Sequence, residues 1–335
     1  NSKLTISLDN KTTEGYIPTL SRLYVFQELV RLIGDNTTTG VSTFLSGAEC
    51  SDKFMFSGDS ARNLPKSHLY ISMDDFFETI EAQHGTSLHY KQSTDEFILN
   101  DIPSVFPNTQ IANIREVGKL DVKPLTSELF GKLLIGQQDY TYDEVNGKDE
   151  FNTEIEWLSP LEGVKESKSY LSPARHDVYG IEQIRLNLSE KKVTDAESDN
   201  DIFEVHADIS TIYNPIPSPF QGAGNDYYKL YRDVTLIIDN IYSPDTMYNI
   251  YFSPKRCLLR LGSWYRSLLF GNDTSYIKFI RSKKSNELNL YIKTDDGTNV
   301  IWESEDVLIS TLASPFFKPF LFDIETYTTE NLMTL

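Results

Sequence analysis

The sequence predicts an α+β, β-rich fold: antiparallel sheets or barrel-like domains carrying a few capped amphipathic helices. Three observations predict it. Aromatic residues make up 12% of the 335 residues, with 19 Tyr and 19 Phe, and such side chains suit a half-buried pleated surface. Short alternating segments recur between turn signals. Only a few segments hold apolar residues at helical spacing, and those have clear starts and stops.

Leu4 to Leu8 alternates as a short strand. Pro18 then introduces a helix from about Thr19 to Ile33, with Leu20, Leu23, Phe26, Leu29, Val30 and Ile33 as its stripe and Gly34 as its stop. Asp35 to Ser42 is a Thr-rich loop, and Thr43–Leu45 and Lys53–Ser57 are short strand candidates. A second helix starts at Ser72, with Asp75 three residues on as a variant capping box. Met73, Phe76, Phe77 and Ile80 form its apolar face, and Gly85 ends it. A hairpin follows, Ser87–Lys91 and Glu96–Leu99, around Ser93–Asp95.

A short helix is expected over Thr109–Val117, then strands over Lys132–Ile135 and Glu150–Trp157. Between those strands, DYTYDEVNG (Asp139–Gly147) is a polar aromatic loop ending in Asn-Gly, the strongest short turn signal in the chain. His176–Leu188 has helical spacing, and DAESDND, ending at Asp201, is an exposed loop. Strands are expected at Asp201–Ala207 and Val234–Ile238, separated by a loop with Pro215, Pro217, Pro219, Gly222 and Gly224.

Ser253–Gly271 holds a helix over 254–270. Ser253 is the cap, Pro254 the first helical residue and Gly271 the stop. Cys257, Leu258, Leu261, Trp264, Tyr265, Leu268 and Leu269 form its stripe, and Lys255, Arg256, Arg260 and Arg266 are its cations. The rest is strand: Tyr276–Ile280, Leu288–Ile292 and Asn299–Glu303 around an Asp295-Asp296-Gly297 turn, then Val307–Ile309 and Pro319–Ile324. The composition shifts divide the chain into residues 1–120, an α+β unit with the helix–hairpin; 121–230, β-rich with long loops; and 231–335, with the 254–270 helix and hairpins.

Forty-nine acidic against 31 basic residues give a net charge of −18. Such a surface repels nucleic acid, since duplex binding needs Lys and Arg on phosphates, so no sequence-specific nucleic-acid binding is expected. Membrane spans are not expected either, because no run of about 18 apolar residues occurs. The chain starts at Asn1 without Met or a leader pattern, so it is read as processed, truncated or part of a longer polypeptide. Four Asn-x-Ser/Thr sequons in an Asn- and Thr-rich chain carry no inference.

Catalytic motifs are missing. Phosphate-loop, dinucleotide and nucleophile-elbow patterns are absent, and the acidic pairs, such as Asp74/Asp75, Asp199/Asp201 and Glu303/Glu305, arise readily among 49 acids. His68, His84, His89, His176 and His206 form no HxH or HExxH. His84 and His89 flank the end of a helix, and His206 is read as a core or edge residue. Cys50 and Cys257 sit in no CxxC, and Cys257 reads as a buried small hydrophobe. No catalytic residue, cofactor or metal is assigned.

Some segments carry a family likeness. Met73–Leu99 resembles the helix–hairpin unit of phage tail-hub proteins, with an FF…I…G helix before a short hairpin. Val145–Trp157 and Asp199–Val205 are similar to segments of large structural proteins of Bacteroidetes phages and prophages, and Tyr242–Gly271 is similar to their SPKRxLL element. The similar segments spread over about residues 70–325, and the first 60 residues match nothing. The resemblance implies a non-enzymatic virion tail protein, a baseplate or tail hub assembled as a homo-oligomeric ring and docking tail tube, spike or fibre proteins. It carries over no functional residue.

In such a ring the net charge would line a passive DNA channel. Interface candidates are Tyr-rich, Pro-rich segments: Tyr140, Tyr142 and Asn146 in one loop, Tyr213, Tyr227 and Tyr228 in the other. Two other classes stay open. A receptor- or glycan-binding protein would show exposed Trp or Tyr around a shallow site, and a carboxylate-pair glycoside hydrolase would show two acids across a deep cleft.

Overall fold

Pro18 lies inside a strand rather than at a helix start. In the computed structural model, which describes residues 16–62, 67–106, 117–138, 153–177, 181, 184, 199–206, 227–231, 249–269, 272–282, 291–293 and 300–326, β1 (Tyr16–Ser21) leads directly into α1 (Arg22–Ile33). Proline cannot donate to a ladder. It is accommodated because β1 meets one neighbour only through Leu20 and Ser21, leaving Pro18 unpaired on that side. The Ser21 side chain caps α1 by accepting from the Tyr24 N–H. The buried face is Arg22, Val25, Phe26 and Val30, while Leu32 and Ile33 are exposed. Gly34 ends the helix as expected, because a Cβ there would meet the Thr38 side chain.

β2 (Thr39–Val41) is followed by α2 (Thr43–Ser46), where a strand was expected. The reason is Ser42, whose hydroxyl accepts from the Leu45 N–H at 3.0 Å and donates to the Leu99 carbonyl at 2.6 Å. That cap turns the chain before a ladder can form. β3 (Lys53–Ser57) is buried along its whole length and leads to α3 (Gly58–Ala61).

α4 (Met73–His84) has the full capping box of Ser72 and Asp75. Gly85 ends it at φ +65°, a conformation that glycine enters without steric penalty. The hairpin of β4 (Thr86–Lys91) and β5 (Glu96–Asp101) follows, and then α5 (Ile102–Val105).

The remaining strands are β6 (Val117–Pro124), β7 (Lys132–Gln137), β8 (Ile155–Leu158), β9 (Ser167–Ser172), β10 (Ile202–His206), β11 (Tyr227–Tyr231), β12 (Tyr276–Ser282), β13 (Tyr291–Lys293), β14 (Val300–Trp302), β15 (Val307–Leu308) and β16 (Phe320–Thr326). The expected single helix over 254–270 is two, α6 (Pro254–Arg260) and α7 (Gly262–Leu268), joined at Leu261. Helical hydrogen bonds bridge the joint, Leu261 to Cys257 and Tyr265 to Leu261. The stripe survives it: Cys257, Leu258, Leu261, Tyr265, Leu268 and Leu269 are buried, and Trp264 is half-buried.

Among the described residues five sheets form, in the orders β10-β3-β1-β11, β15-β12-β8-β7-β9, β2-β5-β4, β13-β14 and β6-β16. The α+β class holds, but no sheet of the described residues closes into a barrel, and β2–β5 and β7–β9 are parallel. Closure would need every edge strand to find a partner, and β10, β11, β15 and β9 end their sheets without one among the described strands. Sheets join strands across the positions 120 and 230: β3 with β10, β8 with β12, β6 with β16.

Two hydrophobic cores form among the described residues. One packs α1, α2 and α4 on β3 and β5 through Phe26, Val30, Leu45, Met55, Phe76, Ile80 and Leu99. The other packs α6 and α7 on the five-stranded sheet through Trp157, Ile135, Leu258, Tyr265 and Ile277. No helix of the described residues is long and apolar enough to cross a membrane. The helix expected at Thr109, most of the one at His176, the strand at Val234 and both Tyr-rich loops up to Gly224 lie outside the described residues.

Candidate functional site

The two cores meet at a buried polar junction built around Arg22. Its guanidinium opens α1 with no solvent exposure. Nε donates to Glu204 Oε1 at 2.5 Å, and a terminal nitrogen donates to Gln83 Oε1. The other terminal nitrogen stands 3.1 Å from His84 Nε2 and 3.4 Å from the Cys50 thiol. Gln83 returns a hydrogen bond from its amide to Glu204 Oε2 at 2.6 Å. His176 Nε2 lies 3.3 Å from the same oxygen, and its ring stacks on Phe252 at 4.4 Å. Asn249 donates to the His176 and Glu204 backbone carbonyls. From α6, Arg260 donates to the Gln83 and Tyr251 carbonyls. Arg260 and Lys53 both stand over the Tyr251 ring, at 4.0 and 3.8 Å, within cation–π range.

Electrostatics close the junction. Burial pushes the Glu204 carboxyl up, but the Arg22 charge and the bonds from His176 and Arg22 outweigh it and hold the pKa at about 2. Burial and the Arg22, Arg260 and Lys53 charges drive His84 well below its usual range, so it stays neutral and accepts from Arg22. Burial lowers His176 as well. A second set of ion pairs anchors the neighbouring loops. Arg62 pairs with Asp199 at 2.5 Å, and Arg175 with Asp177 at 2.9 Å and Asp201 at 2.6 Å. At the end of DAESDND the described turn is mixed: Asn200 is exposed as expected, whereas Asp199 is buried because Arg62 neutralises it.

This junction is a poor place for chemistry. Arg22, Glu204, Gln83 and His176 are 1% exposed or less, so no substrate reaches them. Burial raises the Cys50 thiol, the wrong direction for a nucleophile. Cys257 is likewise free and buried. Among the described residues no group of three or more His, Cys, Asp or Glu is placed to hold a metal ion.

An accessible feature among the described residues is the β6–β16 ribbon. Its register sets Leu120 opposite Ile324, Val122 opposite Phe322 and Pro124 opposite Phe320. Directly opposed residues share a face, so one face is wholly apolar. Leu120, Val122, Phe320 and Phe322 are nonetheless 52%, 50%, 39% and 52% exposed. The other face carries Lys119, Asp121 and Lys123 on β6 and Leu321, Asp323 and Glu325 on β16. Neither outer edge pairs with a described strand. An isolated two-stranded ribbon is marginal in water, and a contiguous exposed apolar face marks an interaction surface.

Of the interface candidates, Tyr227 and Tyr228 lie on β11, opposite Leu20 and Thr19, in a strand rather than a loop. Tyr140, Tyr142, Asn146 and Tyr213 lie outside the described residues. Sequence reasoning missed Arg22, Gln83, His176 and Glu204. The available signal was a cation in phase with an apolar stripe, since Arg22 precedes Val25 and Phe26 by three and four positions. It missed the ribbon because β6 and β16 are about 200 residues apart, and alternation alone does not say which strands pair.

No family model, no curated protein and no solved structure matches this chain.

Proposed function

We propose that this protein is a non-enzymatic structural subunit of a phage tail, a baseplate or tail hub component that assembles as a ring and docks tail tube and spike or fibre proteins. The observation that carries this reading is the ribbon, whose apolar face and two edges without a partner among the described strands suit association with further copies. β16 of one copy beside β6 of the next continues the antiparallel alternation and keeps all copies related by rotation. In the register of the existing pair that contact sets Glu325 opposite Lys119 and Asp323 opposite Asp121, so each new edge gains one opposite-charge pair and carries one like-charge pair whose Asp121 is neutralised by its own Lys119 at 2.9 Å. The apolar faces then form one continuous surface for a partner or a second layer. The −18 charge would suit a channel wall along which DNA slides without sticking. The closed polar junction supports the same reading, because its charges are spent on joining the two cores.

Light scattering with electron microscopy of the purified chain tests the proposal. The expected result is a closed ring, formed alone or on addition of a tail partner. A strict monomer that binds glycans and forms no ring with tail partners overturns it.

A further inference from the structure

Away from the ribbon, a cleft of about 650 Å³ opens between α4 and β9. Glu78 and Glu81 of α4 line it, three residues apart and so on one helix face. Glu128, Lys168 and Tyr170 line the opposite side, and Trp264 of α7 stands at the rim. Lys168 neutralises Glu128 at 3.2 Å. No described cation pairs with Glu78 or Glu81, and burial together with Glu78 raises the Glu81 carboxyl above its usual value. Behind Tyr170 the fully buried Tyr265 hydroxyl has no hydrogen-bond partner and lies within electrostatic reach of Tyr170 and Glu81. The rim continues as an aromatic surface. Trp264 stands 5.1 Å from Phe317, and Phe316 stands 5.1 Å from the half-exposed Phe106.

We infer that this cleft docks a basic segment of a partner protein, with an Arg or Lys side chain entering between Trp264 and the Glu78–Glu81 pair. Uncompensated carboxylates beside an aromatic face are what a cation seeks, through charge and through the ring quadrupole. Gln138, Ser169, Tyr170 and Trp264 also line the cleft and can donate to sugar hydroxyls, so a neutral glycan is the competing occupant that chitotetraose probes; two carboxylates that no described cation pairs with favour a charged one. The inference does not depend on the ring.

Calorimetric titration tests it, using the peptide acetyl-Gly-Arg-Gly-Arg-Gly-amide and its citrulline counterpart on protein whose mass has first been fixed by light scattering. The arginine peptide should bind about tenfold more tightly than the neutral one, and Glu78→Gln with Glu81→Gln should erase that difference. A control with the same charge change on the ribbon, Asp121→Asn with Asp323→Asn, should leave binding within about twofold. Equal losses in both double variants would reduce the effect to bulk charge and overturn the inference. So would an arginine peptide that binds no better than the citrulline one, or chitotetraose binding that competes with the peptide. Because the readout is peptide affinity at known mass, failure of ring assembly leaves it interpretable.

Discussion

The Arg22 guanidinium and the Glu204 carboxylate meet at 2.5 Å across 182 residues of sequence, and neither side chain reaches solvent. Removing one partner leaves the other charged and buried. Arg22→Met or Glu204→Ala should each destabilise the fold by about 3–5 kcal/mol. The double variant Arg22→Met with Glu204→Leu should cost well under the sum, because no orphan charge remains. Urea denaturation of the four proteins measures both.

Acid should undo the same pair. Glu204 has an ordinary carboxyl value of 4.5 and is held at about 2 in the fold. The unfolded chain therefore binds the proton more readily, so the stability Glu204 contributes is complete above pH 4.5 and is lost as the pH falls toward 2. Melting temperature against pH should drop across that window, and Glu204→Gln should flatten the drop.

Glu303 should act in the opposite sense. It follows β14 and is buried, and Arg256 of α6 stands 3.8 Å away. Burial raises it to about 7, the nearby Arg256 charge, Ser253 hydroxyl and Lys255 offsetting only part. The folded state holds this proton more tightly than the unfolded chain, so its stability contribution is present below pH 4.5 and is lost as the pH rises through about 7. Glu303→Gln should stabilise the protein by up to about 3 kcal/mol at alkaline pH and change little in acid. Thermal melts at two pH values check it.

Gly85 joins α4 to its hairpin at φ +65°, and a Cβ there would stand 2.7 Å from a Leu261 methyl. Gly85→Ala should cost about 1–2 kcal/mol in backbone strain, plus whatever Leu261 loses by moving. Chemical denaturation gives the total.

The ribbon prediction separates assembly from folding. Val122→Lys with Phe322→Asp places opposite charges at directly facing, half-exposed positions. Little core is lost, so the melting temperature should stay near that of the unmodified protein. Light scattering should show the assembled mass collapse to that of the single chain.

The sequence by itself determined the local elements. Ser72, Asp75 and Gly85 bounded α4, Ser253 and Pro254 opened α6, and alternation found β3, β7, β10, β12 and β16. These are decided by neighbours within four residues, where capping and side-chain period act. Thr43–Leu45 failed because Ser42 caps a helix through the Leu45 N–H, and the same hydroxyl is held in place by Leu99, a partner 57 positions away. Only the tertiary structure decided which strands pair, that the sheets stay open, and that Arg22, Glu204 and His176 are interior. Pairing depends on long-range closure that local pattern does not encode, and a charge goes inside only when its partner arrives with it. The ribbon and the cleft belong to that second group, since each is assembled from segments that the chain keeps far apart.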